Sequence, residues 1–179
     1  MPSEPSQLRM GFRRFADLQP PEPTPGYGLR TFRPGDEDAW IGILNTGGFG
    51  RWDRARLDRL MRDERSRLLP EGIHFATRDG QPVGVACIFL NREEGREVAE
   101  LGWVGVHADH RGHGLATQVC RAALGYVRDL GHDYVFLKTE DYRVAAIGIY
   151  LRLDFEPEIQ DATQPARWEE IRRKLGGRT

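Results

Sequence analysis

The chain has 179 residues, enough for one ordinary domain with little left over for a second. Apolar residues make up 39% and charged residues 30%, a balance that excludes a disordered polymer. With 26 Lys and Arg against 27 Asp and Glu there is no basic surplus to neutralise a phosphate backbone, so nucleic acid is not an expected partner.

Six of the eleven prolines fall in residues 1–26, ending in Pro20-Pro21-Glu22-Pro23-Thr24-Pro25-Gly26. Proline removes a ladder donor and breaks helices, so residues 1–26 read as a flexible arm and 27–179 as the folded domain. Arg9, Arg13, Arg14 and Asp17 interrupt any signal-peptide core in this stretch. Gly28 to Arg33 alternates and predicts a first strand, ended by Pro34-Gly35. A helix follows from Asp36 or Glu37 with Trp40, Ile41 and Leu44 as its apolar positions. Asn45-Thr46-Gly47-Gly48 breaks it, and Arg54 to Arg65 predicts a second helix on Leu57, Leu60 and Met61.

Ile73 to Thr77, Asp79-Gly80 and Pro82 to Leu90 read as a strand, a tight turn and a strand. The apolar run Val83 to Leu90 is far short of the ~18–20 residues that cross a bilayer, so no membrane is expected. Val98 to Val106 predicts a third strand of this group. Leu115, Val119, Ala122, Tyr126 and Leu130 then follow helical spacing, stopped by Gly131. Tyr134 to Leu137 is a short buried strand, Arg143 to Leu153 a helix, Phe155 to Ile159 a strand, and Ala166 to Leu175 a terminal helix. The order β-α-α-β-β-β-α-β-α-β-α is that of a mixed α/β domain. Cys87 and Cys120 lack CxxC spacing and sit in apolar stretches, as buried thiols of a cytoplasmic protein do.

The chemistry concentrates in LGWVGVHADHRGHGLATQVCRAAL, residues 101–124. A strand delivers Arg111, Gly112 and Gly114 onto the start of a helix, which aims unpaired backbone N–H groups and the positive helix end at one point. A phosphate or pyrophosphate suits that point. No GxxxxGK[ST] and no GxGxxG opening a first βαβ unit is present, so neither a P-loop nor a dinucleotide fingerprint explains the loop. His107, His110 and His113 recur every third residue, yet no Cys or carboxylate is arranged to complete a metal site, and no metal is expected.

Arg111-x-x-Gly114-x-Ala116 after an apolar strand resembles the [RQ]-x-x-G-x-[GA] signature of the GNAT N-acetyltransferase superfamily. Downstream, Ala146, Tyr150 and Phe155 are similar to the superfamily's N-x-x-A-x-x-x-Y-x-x-x-G-F segment; Arg143 stands where Asn is usual and Asp154 where Gly is usual. The resemblance covers roughly residues 28–159. It implies a mostly antiparallel mixed sheet flanked by helices, with a V-shaped acyl-CoA cleft between the strands near 98–106 and 134–138.

The resemblance also implies acetyl-CoA, or another acyl-CoA, as co-substrate and direct transfer of the acyl group to an amine in a ternary complex. The backbone of Arg111, Gly112, His113, Gly114, Leu115 and Ala116 would hold the pyrophosphate. Val104 and Val106 would offer backbone groups to the pantetheine arm and thioester. Arg143 either clamps an anionic group of CoA or acceptor, or pairs with Glu140 or Asp141. Tyr150 would protonate the departing thiolate. An amine of pKa ~10.4 is neutral about once in 2,500 molecules at pH 7, a deficit of ~4.6 kcal/mol. A base is therefore useful: Glu100 lies at the spacing of the glutamate base in the superfamily's histone-acetylating members, and Glu97 is the second candidate.

The acceptor wall would come from residues 40–56, whose Arg51, Arg54 and Arg56 either favour an acidic acceptor or form the wet side of a helix. The acceptor itself is open among small-molecule amines, amino acids and peptide N-termini. A bacterial enzyme, monomeric or homodimeric, is the expectation. A non-catalytic acyl-CoA-binding module of the same fold is the alternative, and an interaction protein using the proline-rich arm a third.

Overall fold

The protein, described by a computed structural model over residues 6–63 and 66–177, is built on one seven-stranded sheet in the order β2-β3-β4-β5-β6-β1-β7. The strands are β1 (Leu8–Phe12), β2 (Gly28–Thr31), β3 (Ser66–Arg78), β4 (Gln81–Glu93), β5 (Arg96–Val106), β6 (Val135–Thr139) and β7 (Glu156–Glu158). The helices are α1 (Glu37–Thr46), α2 (Arg54–Met61), α3 (Leu115–Asp129), α4 (Val144–Arg152) and α5 (Gln164–Gly176).

The long apolar run of β4 has its reason in the layering. Ala86, Ile88 and Leu90 pack with α3, α4 and α5 on one face, and Val85, Cys87 and Phe89 pack with α1 and α2 on the other. A strand covered on both faces cannot alternate apolar with polar. Helix α3 fills the first face with Leu115, Val119, Cys120, Ala123, Leu124 and Val127, at the 3–4 residue spacing of one helical stripe.

Every strand pairing is antiparallel except β5 with β6. That parallel pairing is short: Ala99 faces Val135 and Glu100 faces Phe136. Beyond Glu100 the two strands part, and the V opens where the sequence places it. A bulge in β5 assists. Between the Cys87/Gly102 and Val85/Gly105 pairs, β4 contributes one residue and β5 two, Trp103 and Val104. Trp103 takes φ +49°, a left-handed conformation that increases the local twist of the bulged strand.

One expectation is overturned. The described part of the expected 1–26 arm, residues 6–26, does not lie apart from the sheet, because Leu8–Phe12 lies between β6 and β7 and pairs with both. Leu8, Met10 and Phe12 are buried on the helical face, alternating with Arg9 and Gly11. The prolines do not prevent this, since none lies within the strand. β7 forms the edge of the sheet with β1 inside it, and the segment after β7 is the helix α5. The proline-rich stretch lies along α3, where the Glu22 amide donates to Gln118 Oε1 at 2.6 Å and Arg121 pairs with the Glu22 carboxylate at 2.7 Å.

Candidate active site

Two cavities meet where β5 leaves β6. The first, about 530 Å³, runs along Val104–Val106, the Arg111–Thr117 turn and the α4 residues Ala145, Ala146, Ile149 and Tyr150. The second, about 480 Å³, lies toward α1 and is lined by Phe49, Trp103, Glu100, Lys138, Glu140 and Tyr142, among others. Val104, Arg143, Ala146 and Tyr150 border both. Sequence positions 46 apart thus share one junction.

In the turn before α3, Gly112 and Gly114 have φ of +82° and +73°. No heavy atom lies within 4 Å of a Cβ built at either, so backbone conformation, and not crowding by the fold, requires glycine here. The consequence is a loop whose amides from Gly112 to Ala116 have no hydrogen-bond partner among the described residues; the first bond of the turn runs from the Thr117 amide to the Gly114 carbonyl. Five free donors at the N-terminus of a 15-residue helix fit an anionic group such as a pyrophosphate. His113 is turned away from the cavity, its ring 5.3 Å from that of Tyr27, while the Tyr27 hydroxyl bonds His110 Nδ1 at 3.2 Å. Arg111 reaches back, its Nε donating to the Val106 carbonyl and its Nη2 to the Thr46 carbonyl at the end of α1. Among the described residues no group of three or more His, Cys, Asp or Glu is arranged to hold a metal.

Tyr150 is 8% exposed, and burial pushes its phenol well above the ordinary value. It is protonated at neutral pH and has a proton to give. Glu100 is half-buried in the second cavity; desolvation raises its carboxyl, opposed by Lys138, whose Nζ lies 4.0 Å away, and by a hydrogen bond from Asn91. Glu97 lies elsewhere. It pairs with Arg67 at 2.9 Å and borders neither cavity.

Arg143 makes one of the two contacts the sequence left open, the pairing with Glu140, while bordering both cavities. Its Nε meets Glu140 at 2.6 Å, its Nη2 donates to the Gly48 carbonyl, and its guanidinium lies 4.4 Å from the Phe49 ring centroid. It thereby ties the start of α4 to the glycine-rich loop after α1. Asn45 closes that loop by bonding both the amide and the carbonyl of Trp52. Of residues 40–56, Gly48, Phe49 and Gly50 reach the second cavity. Arg54 pairs with Glu37 and Asp58, and Arg56 lies over the Trp52 ring, so neither guanidinium faces the site.

Trp103 and Lys138, to which the sequence assigned no role, complete the second cavity beside Phe49, Glu140 and Tyr142. Lys138 carried the one usable signal, a polar residue interrupting the buried run of β6 in a chain whose only other lysine is Lys174. Cys87 and Cys120 are fully buried and face neither cavity, and burial pushes the Cys120 thiol up to about 12.

The acetyltransferase (GNAT) family model matches residues 37–155. A mycothiol acetyltransferase of Thermobispora bispora is 34% identical over 148 residues, which cover 77% of this chain and 49% of that protein. The chain spans about half the length of the curated relatives it matches. Among solved structures, a GCN5-related N-acetyltransferase from Sphaerobacter thermophilus superposes with a TM-score of 0.70 at 24% identity, covering 87% of this chain and 50% of that one. Arabidopsis thaliana Naa50, in complex with the bisubstrate analogue CoA-Ac-MVNAL, superposes with a TM-score of 0.57 at 18% identity, over 76% and 85% of the two chains. At these identities the two structures are alike in fold.

Proposed function

The chain belongs to the GNAT acetyltransferase family, and from that premise we propose that it moves an acetyl group from acetyl-CoA directly to an amine held in the second cavity. The observation that carries the reading is the junction. An anion-binding turn, a bulged strand edge and a protonated phenol converge on the opening through which the acceptor cavity reaches the cofactor cavity. The name shared by the curated relatives supports acetyl as the group transferred.

In this reading the amides from Gly112 to Ala116 hold the pyrophosphate, with Val104 and Val106 beside the pantetheine arm and thioester. Val104 sits in the bulge, without a register partner on β4, and borders both cavities; in this reading its amide polarises the thioester carbonyl. Glu100 accepts a proton from the incoming ammonium, and the neutral amine attacks. Tyr150 supplies a proton to the departing thiolate. Both cysteines are buried away from the cavities, which supports direct transfer over a cysteine-bound acyl intermediate.

Calorimetric titration with acetyl-CoA, followed by an amine screen for thiol release, tests the proposal. Binding is expected for the wild-type chain and lost in the Arg111→Ala, Gly114→Trp double variant, which removes the loop cation and forces a bulky residue to φ +73°. Tyr150→Phe should bind normally but turn over about 100-fold more slowly. Undiminished turnover in that variant would remove Tyr150 from the mechanism. Binding without thiol release to any amine would favour a non-catalytic acyl-CoA-binding module instead.

A further inference from the structure

Lys138 and Lys174 are the two lysines among 26 Lys and Arg residues. The distinction matters chemically, because a guanidinium stays protonated while a lysine amine can be neutralised and then attack a carbonyl. The two lysine side chains are similarly exposed, at 44% and 50%, but they stand in different surroundings. Lys174 lies in the last turn of α5, beside Glu170 at 3.4 Å. Lys138 stands on β6 in the wall of the acceptor cavity, with Nζ 4.0 Å from Glu100. That cavity also opens onto Val104 and Tyr150. A primary amine, a carboxylate able to take its proton and the junction with the cofactor cavity therefore share one space.

We infer that Lys138 is itself an acyl acceptor, so that without an external amine the chain acetylates its own ε-amine from acetyl-CoA. The inference rests on the acetyl-transfer reading above. Glu100 takes one proton from the ammonium and passes it to solvent. The neutral Nζ attacks the thioester carbonyl carbon; the N–C bond forms, the C–S bond breaks, and a second proton from the same nitrogen goes by way of Tyr150 to the thiolate. The products are Nε-acetyl-lysine, the CoA thiol and one proton, with no change of oxidation state. An external amine occupying the cavity competes with the reaction. Acetylation also removes the cation beside Glu100.

The test is incubation of the full chain with acetyl-CoA and no added amine, read by intact mass and peptide mapping. One acetyl group on Lys138, with Lys174 unmodified, is expected. Lys138→Arg should abolish the increment, Lys174→Arg should keep it, and Glu100→Gln should slow it roughly 100-fold. Modification of both lysines at comparable rates would overturn the inference, because their similar exposure makes that the signature of solution chemistry. An unmodified Lys138 in a chain shown by calorimetry to bind acetyl-CoA would overturn it alone. Loss of acetyl-CoA binding altogether would overturn it together with the acetyl-transfer reading.

Discussion

Glu100 and Lys138 sit one on each arm of the opening V, and at a spacing of 4.0 Å the ammonium opposes the upward shift that burial gives the carboxyl. A base acts only when ionised, so turnover should fall as pH drops through the raised Glu100 value, at a higher pH than an exposed carboxylate would give. Glu100→Gln should flatten that limb of the kcat/KM profile. Stability runs the other way. The folded chain binds this proton more tightly than the unfolded one, so the contribution is present at low pH and lost as pH rises through the folded value. Glu100→Gln should therefore melt no lower than wild type at pH 7 while losing activity, and a lower melting temperature would show the ionised carboxylate to be a net stabiliser. Asp154 belongs to the same scale. Where the superfamily pattern has glycine, this aspartate adopts φ +64°, a conformation that Asp tolerates better than most residues.

At the scale of elements, the packing of β3 against α3 places His74 beside Tyr126, ring centroids 5.8 Å apart, and leaves Nε2 without a partner among the described residues. Burial lowers the imidazole from 6.5 to about 4. Between those values the unfolded chain takes up the proton first. Stability is thus intact above pH 6.5 and falls by about 3 kcal/mol as pH drops through 4. His74→Phe should remove most of this acid-side loss in urea melts between pH 7 and 4; an unchanged slope would assign it to other groups. The elements themselves were largely legible in the sequence. Strands β2 and β4 to β7 and helices α1, α3, α4 and α5 fall where alternation, helical spacing and glycine stops predict them, because each buries a face whose period is local. Strand β3 starts at Ser66, before the predicted Ile73, and α2 ends at Met61, short of the predicted Arg65, which lies outside the described residues. The acceptor wall was legible in part: Phe49 falls within the expected residues 40–56, but Trp103 on β5 and Tyr142 after β6 come from distant segments and nothing local marks them as its neighbours.

At the scale of the whole molecule, β1 is the element on which the sheet's far edge depends. It pairs with β6 on one side and β7 on the other, and it buries Leu8, Met10 and Phe12. Phe12→Ala should cost about 3–5 kcal/mol, read from urea unfolding; a cost below 1 kcal/mol would mean that the strand is not needed for the fold. The alternation Leu8-Arg9-Met10-Gly11-Phe12 carried the signal, but the surrounding prolines obscured it. Arg9, between the buried Leu8 and Met10, is the one charged residue of the strand. The tertiary structure accommodates that charge by laying the guanidinium 3.7 Å over Phe136 and pairing it with Glu93 and Glu158.

The sequence by itself determined the element order, the glycine turn before α3 and the family, because these depend on short-range backbone conformation and on residues close together in the chain. Only the tertiary structure decided which strand fills the slot between β6 and β7, which carboxylate Arg143 pairs with, and which side chains face each other across the V. Those outcomes depend on pairings between residues as far apart as Arg9 and Glu158, where the sequence carries no period to read. They are selected by which arrangement buries the apolar faces and satisfies the charges of the assembled sheet.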